Sequence, residues 1–188
     1  SMTAGRTVLI KKDHSQDNNP NNFRPITCLQ NLGKILTGII STEIYCHLQE
    51  KELITWEQKG CGKDTRGCKD HLLLDKALMA NCRRRKTNMF AAWIDYKKAY
   101  DSITHSWLIQ SLKLVGVAKN IICFLQNAMK SWKTTLLIDN KEISKVSIKR
   151  GIFQGDSLSP LIFIIAMRPL TMLLRNEGRG YSFETNCN

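Results

Sequence analysis

The chain has 188 residues, of which 43% are hydrophobic and 23% are charged, a balance that is typical of a folded domain and argues against disorder throughout. Twenty-eight Lys and Arg residues against sixteen Asp and Glu residues leave a net charge of +12, which suits nucleic acid or an anionic membrane surface as a partner. The apolar run at 161–167 is too short for a membrane span of about 20 residues, and no signal-peptide pattern opens the chain. We therefore expect a soluble, intracellular protein without membrane contact.

The N-terminal half is predicted to contain a strand, a polar loop and two helices. In the first helix the apolar residues recur three or four positions apart, which indicates one buried face. The loop is rich in Asn and Asp, and such residues favour turns. The predicted elements are a strand at 8–10, the polar loop at 13–22, a helix at 32–53, a glycine-punctuated loop at 60–67 and a helix at 70–82, followed by the basic run 83–86.

The C-terminal half begins with a continuous apolar run at 89–94 that ends at Asp95. This pattern predicts a strand buried on both faces, with a carboxylate at its exit. Two helices, a β-hairpin and a long final helix follow. Their predicted bounds are 105–115 and 120–130 for the helices, 134–138 and 146–148 for the hairpin strands around the turn 139–140, and 157–175 for the last helix. The whole pattern predicts an α+β fold that is rich in helix and has a small mixed sheet.

One glycine-rich string joins the predicted hairpin to the last helix and reads Gly-Ile-Phe-Gln-Gly-Asp-Ser-Leu-Ser-Pro from Gly151 to Pro160. Glycine lets a backbone approach a ligand closely, whereas Ser and Pro suit the start of a helix. From the residues alone, a ligand-binding loop and a plain hairpin-to-helix connection are equally good interpretations. The string resembles motif B of reverse transcriptases, Gly-x-x-Gln-Gly-x-x-x-Ser-Pro, at every fixed position.

A second string, Asp-Tyr-Lys-Lys-Ala-Tyr-Asp from Asp95 to Asp101, follows the apolar run. A carboxylate at the end of a rigid strand can hold a hard cation such as Mg²⁺. Alternatively, Asp95 only ends the strand and Asp101 caps the next helix. The string resembles motif A of the same family, which reads Asp-x-x-x-Ala-(Phe or Tyr)-Asp.

The resemblance implies roles for individual residues. Asp95 would bind both catalytic metal ions, Mg²⁺ or Mn²⁺, with the backbone carbonyl of Tyr96 as a further ligand. Tyr100 would be the steric gate that excludes a 2′-hydroxyl, and Gln154 would contact the incoming dNTP. The template and primer would contact the remaining motif B residues, which are Gly151, Gly155, Ser159 and Pro160.

An N-terminal block extends the resemblance. Lys11 and Lys12, followed by Asn-Phe-Arg-Pro-Ile around Arg24, are similar to the fingers of non-LTR reverse transcriptases, where basic side chains face the dNTP triphosphate. Considered singly, these residues would be ordinary surface charges. Arg66 begins an Arg-Gly-Cys-x-Asp segment that such enzymes also contain, and its predicted role is template or primer binding. Cys61 departs from the family pattern, in which Phe is usual.

Seven cysteines, an odd number without a Cys-x-x-Cys pair, indicate reduced thiols. Cys61, Cys68, His71 and Cys82 could be considered as zinc ligands, but their spacings of seven, three and eleven fit no short-spaced Cys/His pattern. We expect no zinc.

The resemblance implies part of a right-hand polymerase: fingers at 1–88, palm at 89–118, a connection with the hairpin at 119–150, and palm again at 151–188. The implied partners are an RNA template, a DNA primer and dNTP, and the implied place of action is the nucleus. No Asp-Asp pair of motif C occurs in the sequence. We therefore expect these 188 residues alone to be inactive, with an exposed palm edge through which copies could self-associate. A nucleic-acid-binding module without chemistry and a partner-binding scaffold are the alternatives.

Overall fold

The computed structural model describes residues 4–12, 19, 22–60, 65–138 and 141–181, and it confirms the predicted combination of helices with a small mixed sheet. Within these ranges no helix is long and apolar enough to cross a membrane. The strands are β1 (Ala4–Lys11), β2 (Phe23–Leu29), β3 (Lys133–Ile138) and β4 (Lys141–Ser147). The helices are α1 (Asn31–Glu50), α2 (Cys68–Arg85), α3 (Ala99–Ser102), α4 (His105–Leu114), α5 (Lys119–Ser131) and α6 (Ser159–Asn176).

The four strands form one sheet in the order β2-β1-β3-β4. β1 is antiparallel to β2 and parallel to β3, so the sheet joins the N-terminal strands to the later hairpin. The Thr7 hydroxyl lies 2.7 Å from the Thr27 hydroxyl and 2.6 Å from that of Thr134, and all three residues are buried. Because buried hydroxyls need hydrogen-bond partners, these contacts favour one register of the three strands.

The hydrophobic core lies between α1, α4, α5, α6 and the loop before α6. In α5 the predicted apolar face is buried at Ile121, Ile122, Leu125 and Met129. Two side chains also hold α6 in place. The indole N–H of Trp107 in α4 donates to the Ala166 carbonyl at 3.0 Å, and Nε of Arg168 donates to the Leu53 carbonyl at 2.8 Å.

The helix and hairpin predictions are confirmed, with bounds that differ by a few residues. The predicted turn 139–140 and most of the loop 13–22 lie outside the described residues. Strand β2 was not predicted, because its sequence contains Pro25. The strand lies at the edge of the sheet, and an edge strand tolerates proline since one row of its backbone groups needs no partner.

The prediction of a buried strand at 89–94 is wrong for this structure. The segment is irregular and pairs with none of the four described strands. Its large side chains face solvent, with exposed fractions of 97% for Phe90, 73% for Trp93 and 74% for Ile94. An apolar run predicts a preference for burial, but burial also needs a covering surface and paired backbone groups.

Candidate functional site

The motif B loop, residues 151–158, is fixed to the rest of the molecule by backbone hydrogen bonds at its start and in its middle. In the middle, the Thr27 N–H in β2 donates to the Gln154 carbonyl at 2.8 Å. At the start, the Gly151 N–H donates to the Ile103 carbonyl at 2.7 Å, and the Ile152 N–H donates to the Tyr100 carbonyl at 3.0 Å. The loop therefore connects β2 with the end of motif A and with Ile103, which follows it.

The two motif B glycines allow close approach of protein backbone. Gly151 has φ +86°, and a Cβ atom added there would lie 2.9 Å from the Asp101 Cα. Gly155 has φ +111°, and its added Cβ would lie 2.9 Å from the Thr27 carbonyl oxygen. L-residues rarely adopt such φ values. The backbone conformation and the close contact therefore require glycine at both positions, whether or not a ligand binds.

A cleft of about 690 Å³, here called the front cleft, lies between the N-terminal strands, motif A and motif B. It brings together residues from all three strings in which the sequence predicted function. Five predicted residues line it, namely Lys12, Arg24, Asp95, Tyr96 and Gln154. The other lining residues are Leu9, Phe23, Pro25, Lys97, Lys98 and Asp101.

The front cleft combines four cationic side chains with two carboxylates. Lys97 and Lys98 join the predicted Lys12 and Arg24, and Asp101 joins Asp95. Carboxylate oxygens are the ligands that Mg²⁺ prefers, and basic side chains bind phosphate. No group of three His, Cys, Asp or Glu residues that could hold a metal occurs among the described residues. The front cleft therefore offers basic side chains that can bind phosphate beside carboxylates that can bind a hard cation.

A second cleft of about 530 Å³, here called the gate cleft, shares Gln154 with the front cleft. Its lining residues include Tyr100, Gly155 and Pro160, all of which were predicted to contact substrate. The Tyr100 ring packs against Phe163 of α6, with the ring centroids 5.1 Å apart. This contact holds an aromatic ring at the wall next to Gln154.

Four predicted residues lie outside both clefts. Lys11 is exposed, with its ammonium group 5.8 Å from the centroid of the Phe23 ring. Arg66 is exposed just before α2, where its backbone N–H donates to the Asp70 carboxylate at 3.1 Å. Gly151 and Ser159 are buried, and the Ser159 hydroxyl has no hydrogen-bond partner among the residues that the structure describes. Neither residue lines either cleft.

Asp101, Lys97 and Lys98 are cleft residues whose roles the sequence did not decide. The predicted alternative for Asp101, a cap of the next helix, is wrong, because Asp101 lies inside α3 and Thr104 is the N-cap of α4. Thr104 accepts a hydrogen bond from the Trp107 N–H at 3.3 Å. The signal for Asp101 was its spacing of six residues from Asp95, which a capping interpretation explained equally well.

Asp156 is the one motif B acid, and it is buried at the wall of the gate cleft. The Thr37 hydroxyl donates to its carboxylate at 2.6 Å. Burial raises the pKa of Asp156, and the hydrogen bonds from Thr37 and from the backbone N–H groups of Ser157 and Leu158 oppose that rise only in part. The contact with Thr37 connects motif B to α1.

Comparison with known proteins agrees with this arrangement of the three strings. The family model described as "Reverse transcriptase (RNA-dependent DNA polymerase)" matches residues 10–184. The chain belongs to the reverse transcriptase family. Both clefts therefore lie in a reverse-transcriptase domain, and the α+β fold with its four-stranded mixed sheet is the fold of this member.

Its relatives include proteins of non-LTR retrotransposons. The chain is 29% identical over 93% of its length to the Pol polyprotein of the type-1 retrotransposable element R2 of Popillia japonica, and covers 24% of that protein. It is 28% identical over 94% of its length to the corresponding polyprotein of type-2 element R2DM of Drosophila melanogaster, and covers 16% of it. A 149 kDa protein of transposon TX1 of Xenopus laevis is 24% identical over 85% of the chain. The chain thus spans about a quarter or less of the length of these relatives.

Proposed function

We propose that the chain is the dNTP-binding part of an RNA-directed DNA polymerase that copies an RNA template onto a DNA primer. The observation that carries this proposal is the front cleft, which is lined by four basic residues and two carboxylates from the N-terminal block and motif A, together with Gln154 of motif B. A dNTP with its magnesium ion needs such a combination, because cations neutralise the triphosphate while carboxylates hold the metal. Family membership supports the same function.

Each group in the front cleft has a proposed role. Arg24 binds phosphate oxygens in a bidentate manner, and Lys12 adds a point charge beside it. Asp95 and the Tyr96 carbonyl hold Mg²⁺, with Asp101 as a further oxygen donor in the same cleft. Bound there, the ion supplies charge neutralisation at the transferring phosphoryl group. Gln154 lies between the triphosphate region and the gate cleft, where Tyr100 contacts the sugar.

The finer architecture follows from the same proposal. Residues 1–88 correspond to fingers, the motif A and motif B segments correspond to palm, and 119–150 with the β3–β4 hairpin correspond to the connection between fingers and palm. A two-metal site needs more carboxylates than Asp95 and Asp101, and the missing Asp-Asp pair would come from chain outside these 188 residues. In the cell the complete protein would act in the nucleus.

The first test is Asp95→Asn in the complete polymerase. We expect Mg²⁺-dependent primer extension to fall at least a thousandfold while RNA binding changes less than twofold, because the substitution removes a metal ligand and keeps the side-chain shape. The matched control is Asp75→Asn on α2, which lies outside both clefts. Full extension by Asp95→Asn would contradict the proposal, and so would loss of RNA binding together with extension.

The second test concerns sugar selection. Tyr100→Ala removes the ring that packs on Phe163, so the complete enzyme should incorporate ribonucleotides more readily. Phe163→Ala is the control for altered packing of α6. The ratio of dNTP to rNTP incorporation measures the effect. An unchanged ratio in Tyr100→Ala would show that the ring does not contact the sugar.

A binding module without chemistry is the second candidate, and the exposed segment 89–94 favours it. Asp95 follows directly on this segment, which has no strand partner among the described residues to hold the carboxylate rigidly. We expect the purified 188-residue chain to extend no primer. If the 188-residue chain extended a primer and Asp95→Asn abolished that extension, both the binding-module candidate and our expectation of inactivity would be wrong. Sedimentation of the same sample would test self-association through the exposed segment.

A further inference from the structure

We propose that the chain has a second nucleic-acid site, which binds the phosphates of single-stranded RNA on a surface separate from the front cleft. This inference rests on the proposed function, since it assumes an RNA substrate. The site is a cleft of about 590 Å³ between α4, the end of α5 and the residues after β4, here called the lysine cleft. None of its lining residues lines the front cleft or the gate cleft.

The lysine cleft follows one face of α4. His105, Ile109 and Lys113 succeed one another at intervals of four residues, so they lie on the same side of the helix. With a rise of about 1.5 Å per residue, this face is roughly 12 Å long. Lys130 at the end of α5 and Lys149 after β4 line the same cleft. The cleft is therefore a short groove rather than a closed pocket.

The charge of the lysine cleft has one sign. Lys113, Lys130 and Lys149 are all exposed, and no acidic residue occurs among the described residues that line the cleft. The surrounding sequence 102–155 contains eight Lys and Arg residues against two acidic residues. Its net charge of +6 is half of the +12 of the whole chain. Like charges that line one cleft repel one another, so the presence of three lysines there favours a bound anion.

Helix stability explains only part of this arrangement. Lys113 and Lys130 lie in the last turns of α4 and α5, where a cation interacts favourably with the helix dipole. That effect acts on each helix end separately and gives no reason for the two ends to face one groove. Lys149 belongs to no helix. Because Lys149 lines the same cleft as the other two lysines, the arrangement indicates a shared ligand.

The remaining lining residues indicate a chain of phosphates rather than a single nucleotide. Gln110, Gln126 and Ser147 supply hydrogen-bond donors along the groove. Trp132 is 9% exposed, so its ring is not available for base stacking. Cations and hydrogen-bond donors of this kind contact the phosphate backbone, and such contacts carry no sequence information.

The test is the RNA affinity of the 188-residue chain, measured by fluorescence anisotropy with labelled oligo(U) and oligo(A) of equal length. We expect the triple variant Lys113→Gln, Lys130→Gln and Lys149→Gln to bind both RNAs about tenfold more weakly. The slope of log K against log salt concentration is negative, and we expect its magnitude to fall by about two. Each of the three lost contacts with single-stranded RNA removes about 0.7 from it.

The matched control carries Lys51→Gln, Lys69→Gln and Lys76→Gln, which make the same change in net charge at exposed positions outside the lysine cleft. Equal losses of affinity and slope in both triple variants would overturn the inference, because net charge alone would then explain binding. No binding by the unaltered chain would also overturn it. Efficient competition by free tripolyphosphate at micromolar concentration would replace RNA by a small polyphosphate as the ligand.

Crosslinking separates this inference from the proposed function. RNA that contains 4-thiouridine should crosslink to peptides covering 105–113, 126–130 or 147–149, and the lysine-cleft variant should lose those crosslinks. Crosslinks confined to residues of the front cleft would contradict the lysine cleft and leave the proposed function intact. Conversely, the Asp95→Asn variant should keep the lysine-cleft crosslinks. If Asp95→Asn left primer extension unchanged while these crosslinks persisted, the proposed function would fail and the lysine cleft would stand.

Discussion

Motif A and motif B resemble the family equally well in sequence, but their surroundings in the molecule are opposite. Residues 151–158 of motif B are hydrogen-bonded to β2, to Tyr100 at the end of motif A and to Ile103 after it, and Ile152, Phe153 and Leu158 are buried. The apolar run before motif A lies in solvent, with Phe90 97% exposed. A match to a motif therefore indicates chemistry, whereas packing depends on partners elsewhere in the fold.

The stability of the two regions should differ most clearly at apolar side chains. Ile162 in α6 is 1% exposed, so Ile162→Ala should lower the free energy of unfolding by about 3 kcal/mol through lost burial and a cavity. Phe90→Ala should change it by less than about 0.5 kcal/mol, since the ring loses no buried contact. Urea denaturation measures both. A large loss in Phe90→Ala would mean that the segment is buried in solution.

The close approach between the two motifs can be tested at Gly151. Gly151→Ala should destabilise the fold by about 2 kcal/mol, because of its positive φ and the approach of the added Cβ to the Asp101 backbone. Gly38 in α1 is the control, since nothing lies within 4 Å of an added Cβ there. Gly38→Ala should stabilise the helix by about 0.5–1 kcal/mol. Equal effects at the two glycines would contradict the described contact.

Burial of the motif B acid should appear in the pH dependence of stability. The pKa of Asp156 is raised in the folded state by burial, so the native protein binds this proton more tightly than the unfolded chain does. Asp156→Asn should therefore raise the melting temperature at pH 7. This advantage should shrink as the pH falls through the raised pKa and disappear well below pH 3.8, where Asp156 is protonated in both states. If Asp156→Asn melted at a lower temperature than the unaltered chain at pH 7, the upward shift of the Asp156 pKa would be contradicted.

The smallest effect is expected at the far end of α6, where Arg175 donates two hydrogen bonds of 2.6 Å to the Glu57 carboxylate. Burial acts to raise the pKa of Glu57, but the hydrogen bonds and charge of Arg175, together with hydrogen bonds from the Glu57 backbone and Thr55, outweigh it, so the net shift is downward. The pair should contribute stability above pH 4.5 and lose it as the pH falls through the lowered pKa. Glu57→Gln should therefore cost less than about 1 kcal/mol at pH 7 and nothing in strong acid. A deficit that persists in acid would indicate lost packing instead.

Local sequence patterns predicted most of the fold because the elements concerned carry their own signals. The apolar spacing of α5 indicates a helix and its buried face. The Ser-Pro pair marks the start of α6. Strand β2 was missed because an edge position tolerates Pro25, and no local pattern encodes an edge. The strand at 89–94 was predicted wrongly because hydrophobicity does not specify what covers it.

The residues of the candidate site likewise fall into those that the sequence predicted and those that needed the structure. The family strings predicted Lys12, Arg24, Asp95 and Gln154, which one cleft brings together. Asp101 has the same chemistry but also fitted a helix cap, and only the chain path around α3 decides between the two. Lys11 and Lys12 are neighbours in sequence, yet β1 ends at Lys11 and only Lys12, the residue after the strand, lines the front cleft.

Hydrogen–deuterium exchange of the chain, with and without dNTP and Mg²⁺, tests the central claim most directly. Without ligand, amides at 88–98 should exchange much faster than those of α6 at 162–166, because the first segment has no strand partner among the described residues. With dNTP and Mg²⁺, exchange at 88–98 should slow in the unaltered chain and not in Asp95→Asn, while 162–166 stays protected in every sample. Slow exchange at 88–98 in the free chain, or no response to dNTP and Mg²⁺, would contradict the claim that an exposed motif A faces a nucleotide-binding cleft.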